Sequence, residues 1–285
     1  MHKSWKRGMT VPTYTSFTCS GREALFLFQL MNIPEAEVLF AHLNDAALQG
    51  ERAKPAFEKI KTDLIKDGVI ESEDNDITIH PQVHQLLQSC KLSSAVMKLH
   101  LHNSGSEQRE SSLTYGFISG TNIVEWLWHP ERDQVTLTSF ESLQDLLRIM
   151  GNRIELPDTV EESIHTPIQK HTLQQLLTLD NESGIERITN ALRQDLHVHS
   201  AAIHELTQAF VNIQKQGQFE VSTRGMQNKP QTIYFMGSCA GNWLFIEDKE
   251  NERKEICTAF KITEEELIQS LFLLTTRSLS ILPAV

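Results

Sequence analysis

The sequence predicts an α+β fold with internal duplication, in which an antiparallel sheet with pseudo-twofold symmetry is flanked by helical bundles. Three observations predict it. Helical patterns precede a run of alternating segments in residues 18–155, the same order recurs in residues 156–285, and a capped amphipathic helix follows each alternating run. The predicted domains are therefore an N-terminal tail over residues 1–17 and two α+β halves, which adjacent meanders would join into one continuous domain.

The first half begins with a well-marked helix. Ser20 and Glu23 form an S-x-x-E capping box in front of an apolar run, and Pro34 closes the helix. Apolar residues at helical spacing predict further helices over residues 35–43, 55–66 and 83–90, with short strands over 69–72 and 77–81.

An alternating segment over residues 95–102 leads into the first meander. The run over residues 103–112 contains turn residues and charges but no apolar anchor, which predicts a long mobile loop. Three strands follow it, over residues 113–119, 122–128 and 134–138. Thr138 and Glu141 are then predicted to cap the next helix.

The second half follows the same order. Thr166, Pro167 and Gln169 predict a helix start, and a long helix over residues 200–216 is predicted to end at Gly217. The remaining predictions are a helix over 184–192, strands over 218–224, 232–238, 242–248 and 255–261, and a helix capped by Thr263 and Glu266.

Matching residues recur in the two halves at nearly constant distance along the chain. Tyr115 and Tyr234 differ by 119, Asn122 and Asn242 by 120, and Thr138 and Thr263 by 125. Coincidence is the alternative, because meanders followed by helices are common. If the duplication is real, the two meanders can form one sheet about a pseudo-twofold axis.

Composition limits the class of protein. The chain carries 26 Lys and Arg against 37 Asp and Glu, and the net charge of −11 disfavours binding to nucleic-acid phosphates. No uncharged apolar run has the ~18–20 residues needed to cross a membrane. The four cysteines Cys19, Cys90, Cys239 and Cys257 are far apart, which suits reduced thiols and predicts a cytoplasmic location.

Cys239 is the main catalytic candidate, because Gly237 to Gly241 formally match a G-x-C-x-G nucleophile elbow. An elbow requires a helix after the nucleophile, whereas another strand is predicted here. A hairpin turn is the favoured interpretation, and a hydrolase using Cys239 remains a further alternative.

Two His-x-His pairs, His100 with His102 and His197 with His199, invite a metal site, with His204 as a third ligand. Neither pair has a carboxylate at ligand spacing, so ordinary half-buried or exposed histidines are favoured. No metal and no cofactor are predicted.

Residues 64–81 resemble a recognition helix followed by a wing, which makes a transcriptional regulator with a winged-helix-like N-terminal part the second alternative. The wing over residues 71–76 is acidic where phosphates would lie, which argues against it.

Trp126 and Trp128 alternate along one strand and share a face. Such aromatic residues usually pack in a core, but an exposed aromatic face would make a partner-binding surface. Both interpretations are open at the level of the sequence.

Taken together, the order of elements, the segment FEKIKTDLIKDGVI and the segment FVNIQKQGQFEVSTRG resemble the EspG family of type VII secretion chaperones, over residues 17–276. The resemblance implies a non-enzymatic cytosolic chaperone that binds a helical protein client. The acidic net charge and the lack of a membrane-crossing run separately predict that it has no nucleic-acid and no membrane partner. By position it implies three contact regions: the loop 103–112 with Ser106, Glu107 and Arg109, the strand with Trp126 and Trp128, and the helix with Leu267, Leu271 and Leu274.

Overall fold

A computed structural model describes most of the chain. The described residues are 15–43, 45–73, 76–103, 111–157, 164–179, 184–225, 229–247 and 255–280. The elements of the first half are β1 Ser16–Cys19, α1 Gly21–Met31, α2 Ala36–Leu43, α3 Ala53–Lys66, β2 Ile70–Glu73, β3 Asp76–Ile79, α4 Pro81–Lys91, β4 Ala95–Asn103, β5 Ser111–Ser119, β6 Asn122–His129, β7 Gln134–Phe140 and α5 Leu143–Ile154. Those of the second half are β8 His165–Gln169, α6 Lys170–Leu177, α7 Ile185–Gln194, α8 Ser200–Val211, β9 Ile213–Thr223, β10 Gln231–Ser238, β11 Gly241–Glu247, β12 Ile256–Ile262 and α9 Glu264–Ser280.

Both meanders belong to one ten-stranded antiparallel sheet. Its strand order is β1-β7-β6-β5-β4-β9-β10-β11-β12-β8, and β2 with β3 forms a separate hairpin. The two halves meet where β4 pairs with β9, from Ala95 opposite Thr223 to Asn103 opposite Lys215. The predicted α+β class and antiparallel sheet are confirmed, and the question of whether the halves share a sheet is answered by this pairing.

The strand order is the same when it is followed inward from either edge: an edge strand, a three-strand meander and then the junction strand. The hairpins also share a register, since Tyr115 pairs with Trp126 and Tyr234 with Phe245. Asn122 lies opposite Ser119 across the first turn, and Gly241 lies opposite Ser238 across the second. The structural counterpart of Asn122 is therefore Gly241 and not Asn242, which the sequence comparison matched with it. Internal duplication itself stays a prediction.

Helices cover the two faces of the sheet differently. Residues of α1–α4 pack on the strands of the first half, and residues of α6–α8 pack on those of the second half. The registers place these two layers on one face, because directly opposite residues in antiparallel strands share a face. Helices α5 and α9 pack together on the other face, over the middle of the sheet.

Two predicted helix boundaries were wrong. Thr138 lies in β7, and the cap of α5 is Ser142, whose hydroxyl accepts a hydrogen bond from the Asp145 amide at 3.1 Å. Helix α8 ends at Val211, and Gly217 lies inside β9. A Cβ at Gly217 would lie 2.8 Å from the His100 carbonyl oxygen and would overlap the Phe235 ring, so glycine is needed there for close strand packing and not as a helix terminator.

Two short strands also replace predicted features. β1 begins at Ser16, inside the predicted tail, and pairs with β7 at one edge of the sheet. β8 occupies the residues around Pro167 where a helix start was predicted, and it forms the other edge. Proline is tolerated at such an edge because only one side of the strand makes ladder hydrogen bonds. The capping boxes of Ser20 with Glu23 and of Thr263 with Glu266 are confirmed.

Candidate functional site

Polar side chains form a strip along the middle of the sheet, where the two halves meet. The strip consists of Lys98, His100 and His102 on β4, opposite Glu220, Gln218 and Gln216 on β9. All of these residues are half-buried, whereas Leu99 and Phe219 between them point to the other face and are fully buried. We call this set the central strip.

The central strip lies between the two helix layers on its face. On one side His42, near the end of α2, contacts Trp128 edge-on with ring centroids 5.4 Å apart. On the other side the Gln216 side-chain amide donates to the carbonyl oxygen of Leu177, at the end of α6, at 3.3 Å. The strip is therefore the part of this face that lies between the first-half helices and the second-half helices.

The histidines of the strip are held in their neutral form. The rings of His100 and His102 lie 4.1 Å apart. Burial is the largest of the causes that lower the pKa of His100 to about 4, and the nearby His102, Lys98 and His42 contribute in the same direction. Burial also lowers the pKa of His102, and burial followed by the Lys98 charge lowers that of His42.

The two charged residues of the strip, Lys98 and Glu220, pair with each other. The Lys98 ammonium lies 3.9 Å from a Glu220 carboxylate oxygen, and the Gln218 amide donates to the same carboxylate. At neutral pH the strip thus presents two neutral imidazoles, two amides and one ion pair. Such a surface offers many hydrogen-bond donors and acceptors with little net charge.

Arg224, just after β9, attaches the helix layer of the first half to the second half. Its Nη2 donates to both carboxylate oxygens of Glu35, at 2.7 and 2.6 Å, and its Nη1 donates to the carbonyl oxygens of Cys90 and Lys91 at 3.0 and 2.9 Å. Glu35 directly precedes α2, and Cys90 and Lys91 end α4. Through these contacts, Arg224 sets where α2 and α4 lie beside the strip.

The predicted partner-binding tryptophans are core residues in this structure. Trp126 is 0% exposed, stacks on Tyr115 at 4.7 Å and contacts Phe28 of α1 edge-on at 5.2 Å. Trp128 is 3% exposed beneath His42. Since the helices α1 and α2 cover them, these side chains form no exposed aromatic face. They pack in the core, as one of the two interpretations from the sequence predicted. A role for them in partner binding stays a prediction.

The leucines predicted on the last helix lie on the opposite face of the sheet. Leu267 and Leu271 of α9 are fully buried, and Leu274 is half-buried. The sequence reasoning missed the neighbouring Phe272 and Leu273, which are 41% and 53% exposed. The sequence did contain a signal for them. Apolar residues occur on more sides of this helix than the one stripe needed to pack on the sheet, so some of them had to be exposed.

The third predicted region cannot be placed, because Ser106, Glu107 and Arg109 lie outside the described residues. The strands that flank the loop are described. Asn103 ends β4 next to His102, and Ser111 begins β5 opposite His102. The loop 103–112 therefore starts and ends beside the central strip. Among the described residues, the structure thus places the two tryptophans and the leucines of α9 on opposite faces of the sheet, instead of bringing them together.

The turn that contains Cys239 joins two paired strands. β10 and β11 pair up to Ser238 opposite Gly241, and the Ser238 hydroxyl donates to the Gly241 carbonyl oxygen at 2.9 Å. The hairpin interpretation is confirmed, and the helix that a nucleophile elbow requires does not follow Cys239. The geometry gives no support to a hydrolase.

The second His-x-His pair serves local structure. The His197 ring nitrogen lies 3.3 Å from the buried Asp195 carboxylate, and the backbone of His199 donates to the Thr166 hydroxyl just before α8. Within the described ranges, no group of three or more His, Cys, Asp or Glu residues is arranged to hold a metal ion. Across the same part of the chain, no helix is both long and apolar enough to span a membrane.

The predicted wing exists as a hairpin of β2 and β3 after α3. Its exposed residues include Glu71, Glu73 and Asp76, which would face phosphates with negative charge. The described residues of this hairpin therefore present negative charge where a wing would contact DNA phosphates.

Comparison with solved structures identifies a similar fold. The chain is similar to the type VII secretion system chaperone EspG5 of Mycobacterium tuberculosis, solved in complex with a PE25–PPE41 dimer, with a TM-score of 0.59 and 11% sequence identity over 93% of this chain and 96% of that one. The peroxisomal multifunctional enzyme type 2 of Drosophila melanogaster, at 9% identity over 87% of this chain and 48% of that chain, gives a TM-score of only 0.14. No family model and no curated protein match the chain. The likeness to EspG5 establishes a shared fold.

Proposed function

We propose that this chain is a non-enzymatic cytosolic chaperone or adaptor that binds a helical protein client of type VII secretion. The observation that carries the proposal is the pairing of β4 with β9, which joins both meanders in one sheet. Separate sheets would have removed the basis of the resemblance to the EspG family. The same fold is found in EspG5, a chaperone solved with a PE25–PPE41 dimer.

The central strip and the adjoining loop are the proposed client-binding surface. A client that reaches the strip between the two helix layers would also meet Asn103 and Ser111, which lie beside His102 at the strand ends that flank the loop. The exposed Phe272 and Leu273 of α9 lie on the other face of the sheet and would form a second contact region. Trp126, Trp128, Leu267 and Leu271 would support these surfaces from beneath, because helices or the sheet cover them.

Co-expression with the products of neighbouring genes tests the proposal. The expected result is a stable complex with a small helical protein, seen as a mass increase in size-exclusion chromatography with light scattering. Gln218→Arg should abolish the complex by placing a bulky charge on the strip, and Gln194→Arg on the exposed end of α7 is the matched control. Recovery of the wild-type chain always alone, as a stable monomer, would count heavily against the proposal.

A further inference from the structure

The β4 side of the central strip gathers several basic side chains in a small space. Lys98, His100 and His102 alternate along β4 and therefore share one face of the sheet. The rings of the two histidines lie 4.1 Å apart. His42 approaches the same region from α2, where its ring lies edge-on to Trp128. Three imidazoles and one ammonium group thus lie close together between the two helix layers.

The carboxylates described around these side chains are already engaged. One Glu220 oxygen lies 3.9 Å from the Lys98 ammonium, and the other accepts from the Gln218 amide. Both oxygens of Glu35, just before α2, accept from the Arg224 guanidinium. In the described part of the chain, a proton added to one of the histidines would therefore find no carboxylate free to balance it.

The histidines are affected by this imbalance of charge. After burial, the causes that lower the pKa of His100 are His102, Lys98 and His42, whose positive charges repel a proton on its ring. Tyr115 on β5 and Tyr234 on β10 supply no negative charge at neutral pH, because burial raises the pKa of both phenols. An anion among these basic groups would offset the repulsion and favour the protonated rings.

We propose that Lys98, His100 and His102 form a binding site for a small divalent oxyanion of the sulfate or phosphate class. His42 borders this site on the α2 side. The inference does not rest on the proposed function, because it concerns the chain alone. The Lys98 ammonium and one N–H of each imidazole can donate to the oxygens, and an imidazole that takes up a proton gains a second N–H. Hydrogen bonds between charged groups are the strong ones, and the half-buried position strengthens them further.

The anion and protons should bind together. If the bound anion favours the protonated form of His100, a lower pH must tighten anion binding by the same factor. Sulfate stays fully ionised between pH 7.5 and pH 5.5, so any pH dependence over this range comes from the protein. We expect the affinity for sulfate to rise at least about fivefold over this range.

The experiment titrates potassium sulfate into the full-length wild-type chain labelled with ¹⁵N-histidine, with potassium chloride keeping the ionic strength constant. The ring signals of His100 and His102 should shift and saturate together, and the pKa of His100 should rise in saturating sulfate. His204, at an exposed position of α8, is the internal control. Equal affinity at pH 7.5 and pH 5.5, or equal responses of His100 and His204, would overturn the inference.

A matched pair of variants tests the role of the ammonium group. Lys98→Met keeps an unbranched side chain but removes the charge, and it should weaken sulfate binding at pH 5.5 at least about fivefold. Lys59→Met, at an exposed position of α3, should stay within about twofold of wild type. Acetate, which carries a single charge, should bind the wild-type chain more weakly than sulfate. Unchanged sulfate affinity in Lys98→Met, or acetate binding as tight as that of sulfate, would refute the site.

Discussion

Leu99 and Phe219 face each other across the β4–β9 pair, and both side chains are fully buried. They lie on the face covered by α5 and α9, directly behind the central strip. This apolar contact joins the two halves from one side, while Lys98 and Glu220 face each other next to it on the other side.

Truncation of this contact should destabilise the whole sheet. Phe219→Ala should cost about 3–5 kcal/mol and Leu99→Ala about 2–5 kcal/mol, because each leaves a cavity in a packed core. The double variant should cost less than the sum, since the two side chains are in contact. Urea denaturation followed by circular dichroism measures these values. Phe272→Ala is the control, because its side chain is 41% exposed. An equal loss for Phe219→Ala and Phe272→Ala would contradict the prediction.

Arg224→Gln should loosen the attachment of the first-half helices. The Arg224 and Glu35 side chains are only 23% and 12% exposed, so loss of one partner leaves the other poorly solvated. We expect a loss of about 2–3 kcal/mol, close to the low end for breaking a buried ion pair. Arg148→Gln is a matched control, because Arg148 is 65% exposed in its pair with Asp145 and such surface pairs contribute about 0–1 kcal/mol. Thermal unfolding compares the two variants, and equal melting temperatures would exclude the attachment role.

The histidines of the strip should make the fold sensitive to acid. The pKa of His100 is lowered from 6.5 to about 4, first by burial and then by His102, Lys98 and His42, so the folded state binds a proton more weakly than the unfolded state. Its stabilising contribution is therefore present above about pH 6.5 and is lost as the pH falls towards 4. Melting temperatures measured from pH 7.5 to 4 should fall less steeply for His100→Gln than for wild type. His204→Gln, at an exposed position of α8, controls for the loss of one histidine. Parallel curves for His100→Gln and wild type would refute this origin of the acid sensitivity.

Alanine substitutions at the helix caps test whether α5 is capped by Ser142, as in the structure, or by Thr138, as the sequence pattern predicted. Ser142→Ala and Thr263→Ala should each cost about 1 kcal/mol, because each hydroxyl accepts a backbone amide at a helix start. Thr138→Ala should cost less than about 0.5 kcal/mol, because Thr138 lies in β7 and not at a helix end. Chemical denaturation ranks the three variants. If Thr138→Ala proved as costly as Ser142→Ala, the cap would lie where the sequence pattern first put it.

Most of the errors made from the sequence fall where two local patterns compete. Thr138 with Glu141 and Ser142 with Asp145 have the same spacing, and only the pairing of β7 with β6 decides which pair can cap a helix. Similarly, Ile213 continues the helical spacing of Leu206 and Phe210 beyond Val211. It lies in β9 instead, because β9 pairs on both sides, with β4 and β10, and this satisfies its backbone groups.

The candidate site was predictable only in part. Alternation along residues 95–102 indicates that Lys98, His100 and His102 share a face, but no local pattern shows that β9 lies beside them. The burial of Trp126 and Trp128 likewise depends on where α1 and α2 settle on the sheet. Phe272 and Leu273 were missed because the apolar pattern of α9 does not reveal which of its sides the sheet covers.

The sequence by itself determined the α+β class, the two meanders, the confirmed caps at Ser20 and Thr263 and the hairpin around Cys239. These features depend on neighbours along the chain: side-chain alternation, apolar spacing and turn residues. Only the tertiary structure decided that β4 pairs with β9, that polar residues form the central strip and that the tryptophans are covered. The reason is physical, because strand pairing and helix packing join residues far apart in sequence, and the exposed face of a side chain is set by the element that packs against it.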